Sequence, residues 1–181
     1  MCLDDGRLSR WLDASYHLDL NELYLVVMIQ GLGRLDCALI EKENVLLSQQ
    51  SEMTRSIDFS FQLEDQFALS ALWVFGAYEL VRTLDQQAHV AFERRAISVS
   101  MKDALNELKR KFERVRVPLA KLEPSRRFKD KDFRVATAEL GQLGVRWKVS
   151  EGTHIDRREL ADSFLGFLED CRKNFWWFGD K

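Results

Sequence analysis

Five polar side chains recur at intervals of three and four residues along the most apolar segment of the sequence. They are Glu79, Arg82, Gln86, His89 and Glu93. In a helix, this spacing places them on one face. A carboxylate, a guanidinium and an imidazole in a row can bind an anion or exchange protons, which makes Glu79, Arg82 and His89 the catalytic candidates. We favour the plainer interpretation that the line is the helix's solvent-facing side, or that Glu79 and Arg82 form an ion pair.

The pair Arg82 and His89 has six residues between its members, and Arg10 and His17 repeat that spacing. This resembles the Arg–His signature of the HEPN ribonucleases. The resemblance implies a helical bundle with the pair at a dimer cleft. There the arginine steadies phosphate, and the histidine assists metal-independent cleavage at the ribose hydroxyl. The family often has a small polar residue, frequently Asn or Asp, directly after the arginine, where this sequence has Thr83.

A basic segment runs from Lys102 to Arg134, with 12 Lys/Arg against 6 Asp/Glu, while the whole chain has a formal net charge of -2. Cations concentrated in this way can hold the phosphate groups of nucleic acid or of a nucleotide. The alternative is an exposed helix face and loop with ordinary solvated lysines. The candidate binding residues are Lys109, Arg110, Arg114, Arg116, Arg126 and Arg127.

Four consecutive aromatic residues lie near the end of the sequence, and they include Trp176, Trp177 and Phe178. They cannot all face one core from a single helix. Because aromatic residues dominate interface hot spots, we predict an interface for self-association here. The equal alternative is a tail that folds back over its own bundle.

Other patterns in the sequence argue against a dinucleotide site, a metal site and a cofactor. The pair Gly31 and Gly33 begins a dinucleotide-binding pattern, but Asp36 occupies the place of its third glycine and no strand–helix alternation follows. Thr153 and Asp156 are ordinary turn and capping residues beside His154. The few histidines and cysteines are scattered, so we predict neither a metal site nor a cofactor.

Apolar periodicity defines the elements that must position these residues. We predict a short helix over 7–17, and a second helix from a capping pair at Asp19 and Glu22 to about Leu47, with a break or kink at Gly31 and Gly33 as an alternative. A central helix over 63–95 is apolar all round in its first half, which predicts neighbours on every side. A helix over 101–116 is capped by Ser100 and ended by Pro118, and the last helix opens at Asp156. The alternation in 145–149 predicts a small β-hairpin near residues 134–149, with a helix over 136–140 as the alternative.

The sequence therefore predicts a mainly α protein, an up-and-down bundle of four to five helices in a single domain over residues 1–181. The two longest apolar runs hold seven and fourteen residues, short of the roughly 20 that span a bilayer. We therefore expect a soluble cytoplasmic protein without membrane partners. We predict that it works through protein interaction or self-association as a homo-oligomer, most simply a homodimer. A HEPN-like ribonuclease and a nucleic-acid or phosphate binder are the alternatives.

Overall fold

Five helices and a three-stranded antiparallel sheet follow one another in the part of the chain that the structure describes. The computed structural model describes residues 5–16, 23–53, 56–93 and 97–173. The elements are α1 (Asp5–Ser15), α2 (Leu23–Met53), α3 (Ile57–Glu93), α4 (Val99–Lys121), a 3-10 turn (Arg126–Phe128), β1 (Thr137–Gly141), β2 (Gly144–Ser150), β3 (Thr153–Asp156) and α5 (Arg157–Lys173). The mainly α fold with a small hairpin is confirmed. The capping pair predicted at Asp19 and Glu22 lies outside the described residues.

The central helix α3 is buried on one side only. Trp73, Val74 and Ala77 are fully enclosed, and α2 and α4 are its main neighbours. On the other side Phe61 and Leu72 are 58% and 60% exposed. The prediction of neighbours on every side is therefore wrong. The first half of the predicted helix is apolar all round, but the described elements pack against only part of its circumference.

The long helix α2 runs without a break through Gly31 and Gly33, so the alternative of a break is not realised. A Cβ on Gly33 would lie 2.6 Å from the Cβ and Cγ of Trp11, which packs there from α1. The indole Nε1 of Trp11 donates to Asp36 Oδ2 at 3.1 Å. Gly33 thus serves close helix packing, and the packing of Trp11 offsets the roughly 1 kcal/mol that a glycine costs within a helix.

Both predicted ends of α4 need correction. The N-cap is Ser98, whose hydroxyl accepts from the backbone N–H of Met101 at 3.2 Å, whereas Ser100 lies inside the helix. Pro118 does not end the helix but lies buried within its last turn, and Lys121 is the final helical residue. A proline within a helix removes one backbone hydrogen bond and crowds the carbonyl four residues earlier, and α4 nevertheless continues for three residues beyond Pro118. The helix ends at Leu122, which adopts the left-handed conformation at φ 56°.

The sheet confirms the hairpin and adds a third strand. The strand order is β1-β2-β3, and Val145, Trp147 and Val149 of β2 face the core. The predicted turn at Thr153 is wrong, because this residue begins β3, which pairs with β2. Asp156 ends β3 and directly precedes α5, so it lies at the predicted N-cap position. The helix α5 begins one residue after the predicted Asp156. Four residues are too short to show an alternating pattern in sequence.

Candidate functional site

Two members of the predicted polar line, Glu79 and Arg82, form an ion pair on α3. Arg82 Nε lies 3.3 Å from Glu79 Oε2, and the side chains are 49% and 51% exposed. Arg116 of α4 approaches the other carboxylate oxygen of Glu79 at 3.7 Å. An exposed pair one turn apart contributes only about 0.3–0.5 kcal/mol to stability. The pair therefore exerts little hold on the fold, and both groups remain accessible to a partner.

His89 meets a carboxylate that the sequence interpretation did not single out. Its Nε2 lies 3.9 Å from Oδ1 of Asp85, one turn earlier on α3. That distance exceeds a hydrogen bond. Lys109 of α4 donates to the other oxygen of Asp85 at 2.6 Å. Asp85 Oδ1 is buried and has no hydrogen-bond partner among the described residues. The four-residue step from Asp85 to His89 was visible in sequence, but the burial of Asp85 was not.

Arg82 and His89 do not meet each other. Both side chains are about half exposed on the outer side of α3, at 49% and 50%. Seven residues of helix separate them by roughly 10 Å along the axis. In the structure each of the two groups contacts a carboxylate of its own, Glu79 for Arg82 and Asp85 for His89. Their joint use would require a ligand that spans two turns of the helix.

Half of the six predicted binding cations are engaged by carboxylates of the same chain. Lys109 binds Asp85, and Arg116 approaches Glu79. Arg114 donates twice to buried Asp132, at 2.7 and 2.8 Å. Its hydrogen bond to Asp132 raises the pKa of Arg114 despite partial burial. Lys109 and Arg114 hold elements together and have little charge left for an external phosphate, whereas the contact of Arg116 with Glu79 is long, at 3.7 Å.

The other three predicted cations lie on separate parts of the surface. Arg110 is half-buried, in a groove of about 430 Å³ between α4, β3 and α5 that is also lined by Lys111 and His154. His154 Nε2 is 3.3 Å from Glu139 Oε2, so it is already paired within the sheet. Arg126 and Arg127 are exposed in the 3-10 turn after α4. The basic segment is thus divided between faces rather than gathered into one patch.

The most enclosed charged cluster joins residues that sequence reasoning missed. Arg157, at the start of α5, has a fully buried side chain, as have its partners Asp36 and Glu43 on α2. It donates through Nε and Nη2 to Glu43 at 3.0 and 2.9 Å, and through Nη1 to Asp36 at 2.5 Å. Burial opposes its charge, but the hydrogen bonds and charges of the two carboxylates outweigh burial and raise the pKa of Arg157.

Further donors complete this cluster. Arg7 of α1 donates to Asp36 at 2.6 Å, and the backbone N–H of Val145 in β2 donates to Glu43 at 3.2 Å. The cluster thereby ties α1, α5 and β2 to α2. Charges matched so closely inside a protein fix how its elements are oriented, which is an architectural role. In the sequence, the only sign of this cluster was the seven-residue spacing of Asp36 and Glu43, which places both on one side of a helix.

The outer side of α3 carries large apolar side chains at several turns. Ile57, Phe61, Leu72 and Val90 are 68%, 58%, 60% and 49% exposed. Ala68, also exposed, lies on the same side. We call this surface, from Ile57 to Val90, the outer face of α3. The predicted interface residues Trp176, Trp177 and Phe178 lie outside the described residues.

Two helices, over Leu23–Gln49 and Ile57–Glu93, are long and apolar enough to cross a membrane by length and composition alone. In each, 44% of the most apolar window is buried inside the protein. Among the described residues, no group of three or more His, Cys, Asp or Glu is arranged to hold a metal ion.

Comparison with protein-family models, curated proteins and solved structures finds no match for this chain. What the protein does must therefore be inferred from the placement of its own side chains.

Proposed function

We propose that this protein works through self-association, as a homodimer joined through the outer face of α3. The observation that carries the proposal is the row of exposed apolar side chains on that face, in particular Ile57, Phe61 and Leu72. Large apolar side chains that share one exposed helix face are typical of an interaction surface, and covering them adds burial free energy. Polar side chains, among them Glu79 and Gln86, lie between Leu72 and Val90 on this face.

Charge complementarity makes a second copy of the chain a suitable partner. The first half of the face carries Glu64, and the second half carries Arg82, both exposed. If two copies pack antiparallel, Glu64 of one lies opposite the partner's Arg82. The midpoint between these two positions falls at the level of residue 73, as does the midpoint between Ile57 and Val90. A single twofold axis therefore brings opposite charges and apolar side chains together at once.

The size of the face indicates what else takes part. A helix face from Ile57 to Val90 is about 50 Å long and about 10 Å wide, or roughly 500 Å². A stable interface buries about 800 Å² on each partner. The outer side of α2 continues the surface, since Ala38 and Val45 line a groove together with Gln62 and Asp65 of α3. Val45 is 46% exposed. We include this strip of α2 in the proposed interface.

The charges on the outer face of α3 argue against a lipid bilayer as the partner that covers it. Glu64, Asp65 and Arg82 are exposed at intervals along the outer face of α3. Each would cost about 2.5–3.5 kcal/mol at the centre of a membrane. Protein partners can match these charges, whereas hydrocarbon cannot. We therefore place the protein in the cytoplasm as part of the proposal, and the buried thiols of Cys37 and Cys171 fit a reducing compartment.

The substitution Leu72→Glu tests the proposal by sedimentation equilibrium across a concentration series. Leu72 lies near the centre of the proposed interface, so a dimer loses the contact twice and gains two facing charges. We expect the wild-type chain to dimerise and the variant to dimerise at least tenfold more weakly, a loss of ~1.4 kcal/mol or more. Leu143→Glu is the matched control, because Leu143 is 43% exposed in the turn between β1 and β2. Equal dimerisation of the two variants, or a monomeric wild type, would sink the proposal.

A second candidate function is RNA cleavage of the HEPN kind by Arg82 and His89. One observation favours it: the buried carboxylate of Asp85 lies 3.9 Å from His89 Nε2. A small rotation of the imidazole would let that carboxylate orient it as a general acid or base. In the proposed dimer Arg82 faces a carboxylate instead of phosphate, so the two functions compete for the same side chain.

This second candidate is tested by incubating RNA with the wild type and with an Arg82→Ala/His89→Ala double variant. We expect cleavage by the wild type alone if the pair is catalytic. Cleavage that survives in the double variant, or its absence from the wild type, counts against the pair. Dimerisation measured on the same samples separates the two proposals, since self-association without cleavage supports only the first.

A further inference from the structure

The end of α4 and the turn after it form a second groove, of about 460 Å³, beside Tyr78 of α3. Its cationic lining consists of Arg116, Lys121, Arg126 and Lys129. A cavity of this size lies within the range of small-ligand sites, about 300–1,000 Å³. We call it the α4-end groove. It shares no lining residue with the groove lined by Arg110 and Lys111.

Not all of this positive charge is neutralised within the groove. Its acidic lining residues are Glu113 and Glu123, which leaves an excess of two positive charges among the lining residues. Glu123 is 3.9 Å from Lys121, a long contact between side chains that are both more than half exposed. Glu113 accepts from the hydroxyl of Tyr78 at 3.3 Å. From outside the lining, Glu79 approaches Arg116 at 3.7 Å.

The four cations differ in whether the fold itself explains their position or leaves them available to a ligand. Lys121 is the last residue of α4, where a cation complements the negative end of the helix dipole without any ligand. Arg116 lies 5.1 Å above the ring of Tyr78, which holds its guanidinium at the groove wall. Arg126 and Lys129 come from the turn, are exposed, and face the same cavity. Two cations of α4 and two exposed cations of the turn therefore line the same groove, where an anion can contact all four.

We propose that the α4-end groove binds phosphate groups, carried either by a small phosphorylated molecule or by the backbone of an RNA strand. Arginine guanidinium groups pair with phosphate oxygens through two parallel hydrogen bonds, and lysines add point charges. The sequence candidates are thereby narrowed from six residues to Arg116 and Arg126, joined by Lys121 and Lys129. The lining of the groove does not include the interface residues proposed above, although Glu79 contacts both Arg82 of the interface and Arg116 of the groove.

Pyrophosphate is the small probe, and a single-stranded RNA oligonucleotide is the polymeric one. Calorimetric titration of pyrophosphate into the full chain at low salt measures the affinity for pyrophosphate. Fluorescence anisotropy of labelled RNA measures the affinity for RNA. We expect pyrophosphate to bind and to lose affinity as salt rises. If pyrophosphate displaces bound RNA, the backbone of RNA is the source of the phosphate. If pyrophosphate binds and RNA does not, the ligand is a small phosphorylated molecule.

The variant Arg126→Glu/Lys129→Glu tests the location, and Arg110→Glu/Lys111→Glu is its control with an equal change of charge. We expect the first pair to weaken pyrophosphate binding at least tenfold, and the control pair to change it less than threefold. All four side chains lie at the surface or in open grooves, and circular dichroism checks that both variants fold. Equal losses in the two variants, or no pyrophosphate binding by the wild type at low salt, would overturn the proposal.

Discussion

At the scale of single residues, the partners of a charge decide its role more than the charge itself. Lys109 and Arg114 are prominent in the basic segment, yet both are bound to buried carboxylates of the same chain. Arg157 attracts no notice in the sequence and is the most enclosed cation of the described residues. Its partners Asp36 and Glu43 are 121 and 114 positions away in the chain. Pairings over such distances follow from the tertiary fold and have no local pattern.

Replacing Arg157 by leucine gives the sharpest stability prediction at this scale. The substitution leaves two buried carboxylates without their central partner, and breaking such a cluster costs about 3–5 kcal/mol. We expect a matching fall in the free energy of unfolding, measured by urea titration. The control is Arg158→Ala, since Arg158 is 22% exposed and lies 3.6 Å from Glu43, and we expect it to cost under ~1 kcal/mol. Similar small losses in both variants would contradict the architectural role of the cluster.

At the scale of elements, periodicity predicted the helices well but not their surroundings. The five helices and the hairpin were visible because apolar residues repeat with the helical and strand periods. The third strand was missed because Thr153–Asp156 is short and contains residues typical of turns. The polar line from Glu79 to Glu93 was correctly interpreted as the solvent-facing side of the second half of α3, but the exposed side of the first half was missed. Leu72 and Trp73 are adjacent and equally apolar in sequence, yet one is 60% exposed and the other fully buried. A helix that is apolar all round does not reveal which side its neighbours cover.

The junction between β2 and α2 provides a prediction at the scale of elements. Gly144 has φ 105°, and a Cβ there would lie 2.3 Å from the carboxyl carbon of Glu43. Gly144→Ala should therefore both strain the backbone and displace Glu43 from Arg157, with an expected loss of at least ~2 kcal/mol. Gly152 also has a positive φ, 71°, but a Cβ there meets nothing within 4 Å. We expect Gly152→Ala to cost only about 1 kcal/mol in the same urea titration. A reversed order of the two losses would contradict this account of the junction.

At the scale of the whole molecule, self-association and phosphate binding are proposed on different surfaces, whereas RNA cleavage would use Arg82 of the outer face of α3. The outer face of α3 is apolar with charges at intervals, the α4-end groove is cationic, and the buried cluster around Arg157 is closed to solvent. The sequence indicated the first two surfaces only as residue types, because their grouping depends on how α2, α3 and α4 pack. The aromatic residues of the tail remain a predicted interface. A chain that ends at Asn174 distinguishes the tail from α3, since dimerisation through the outer face of α3 should survive the truncation.

The most direct test of antiparallel pairing through α3 is an exchange of charge between two variants. The measurement is sedimentation of Glu64→Arg and Arg82→Glu, alone and mixed. In the proposed dimer, each variant places like charges opposite each other at two sites, so each alone should dimerise at least tenfold more weakly than the wild type. The mixture restores both pairs of opposite charges, and we predict a heterodimer close to wild-type affinity. If the mixture associates no better than its components, or if both variants dimerise like the wild type, the proposed pairing through α3 is wrong.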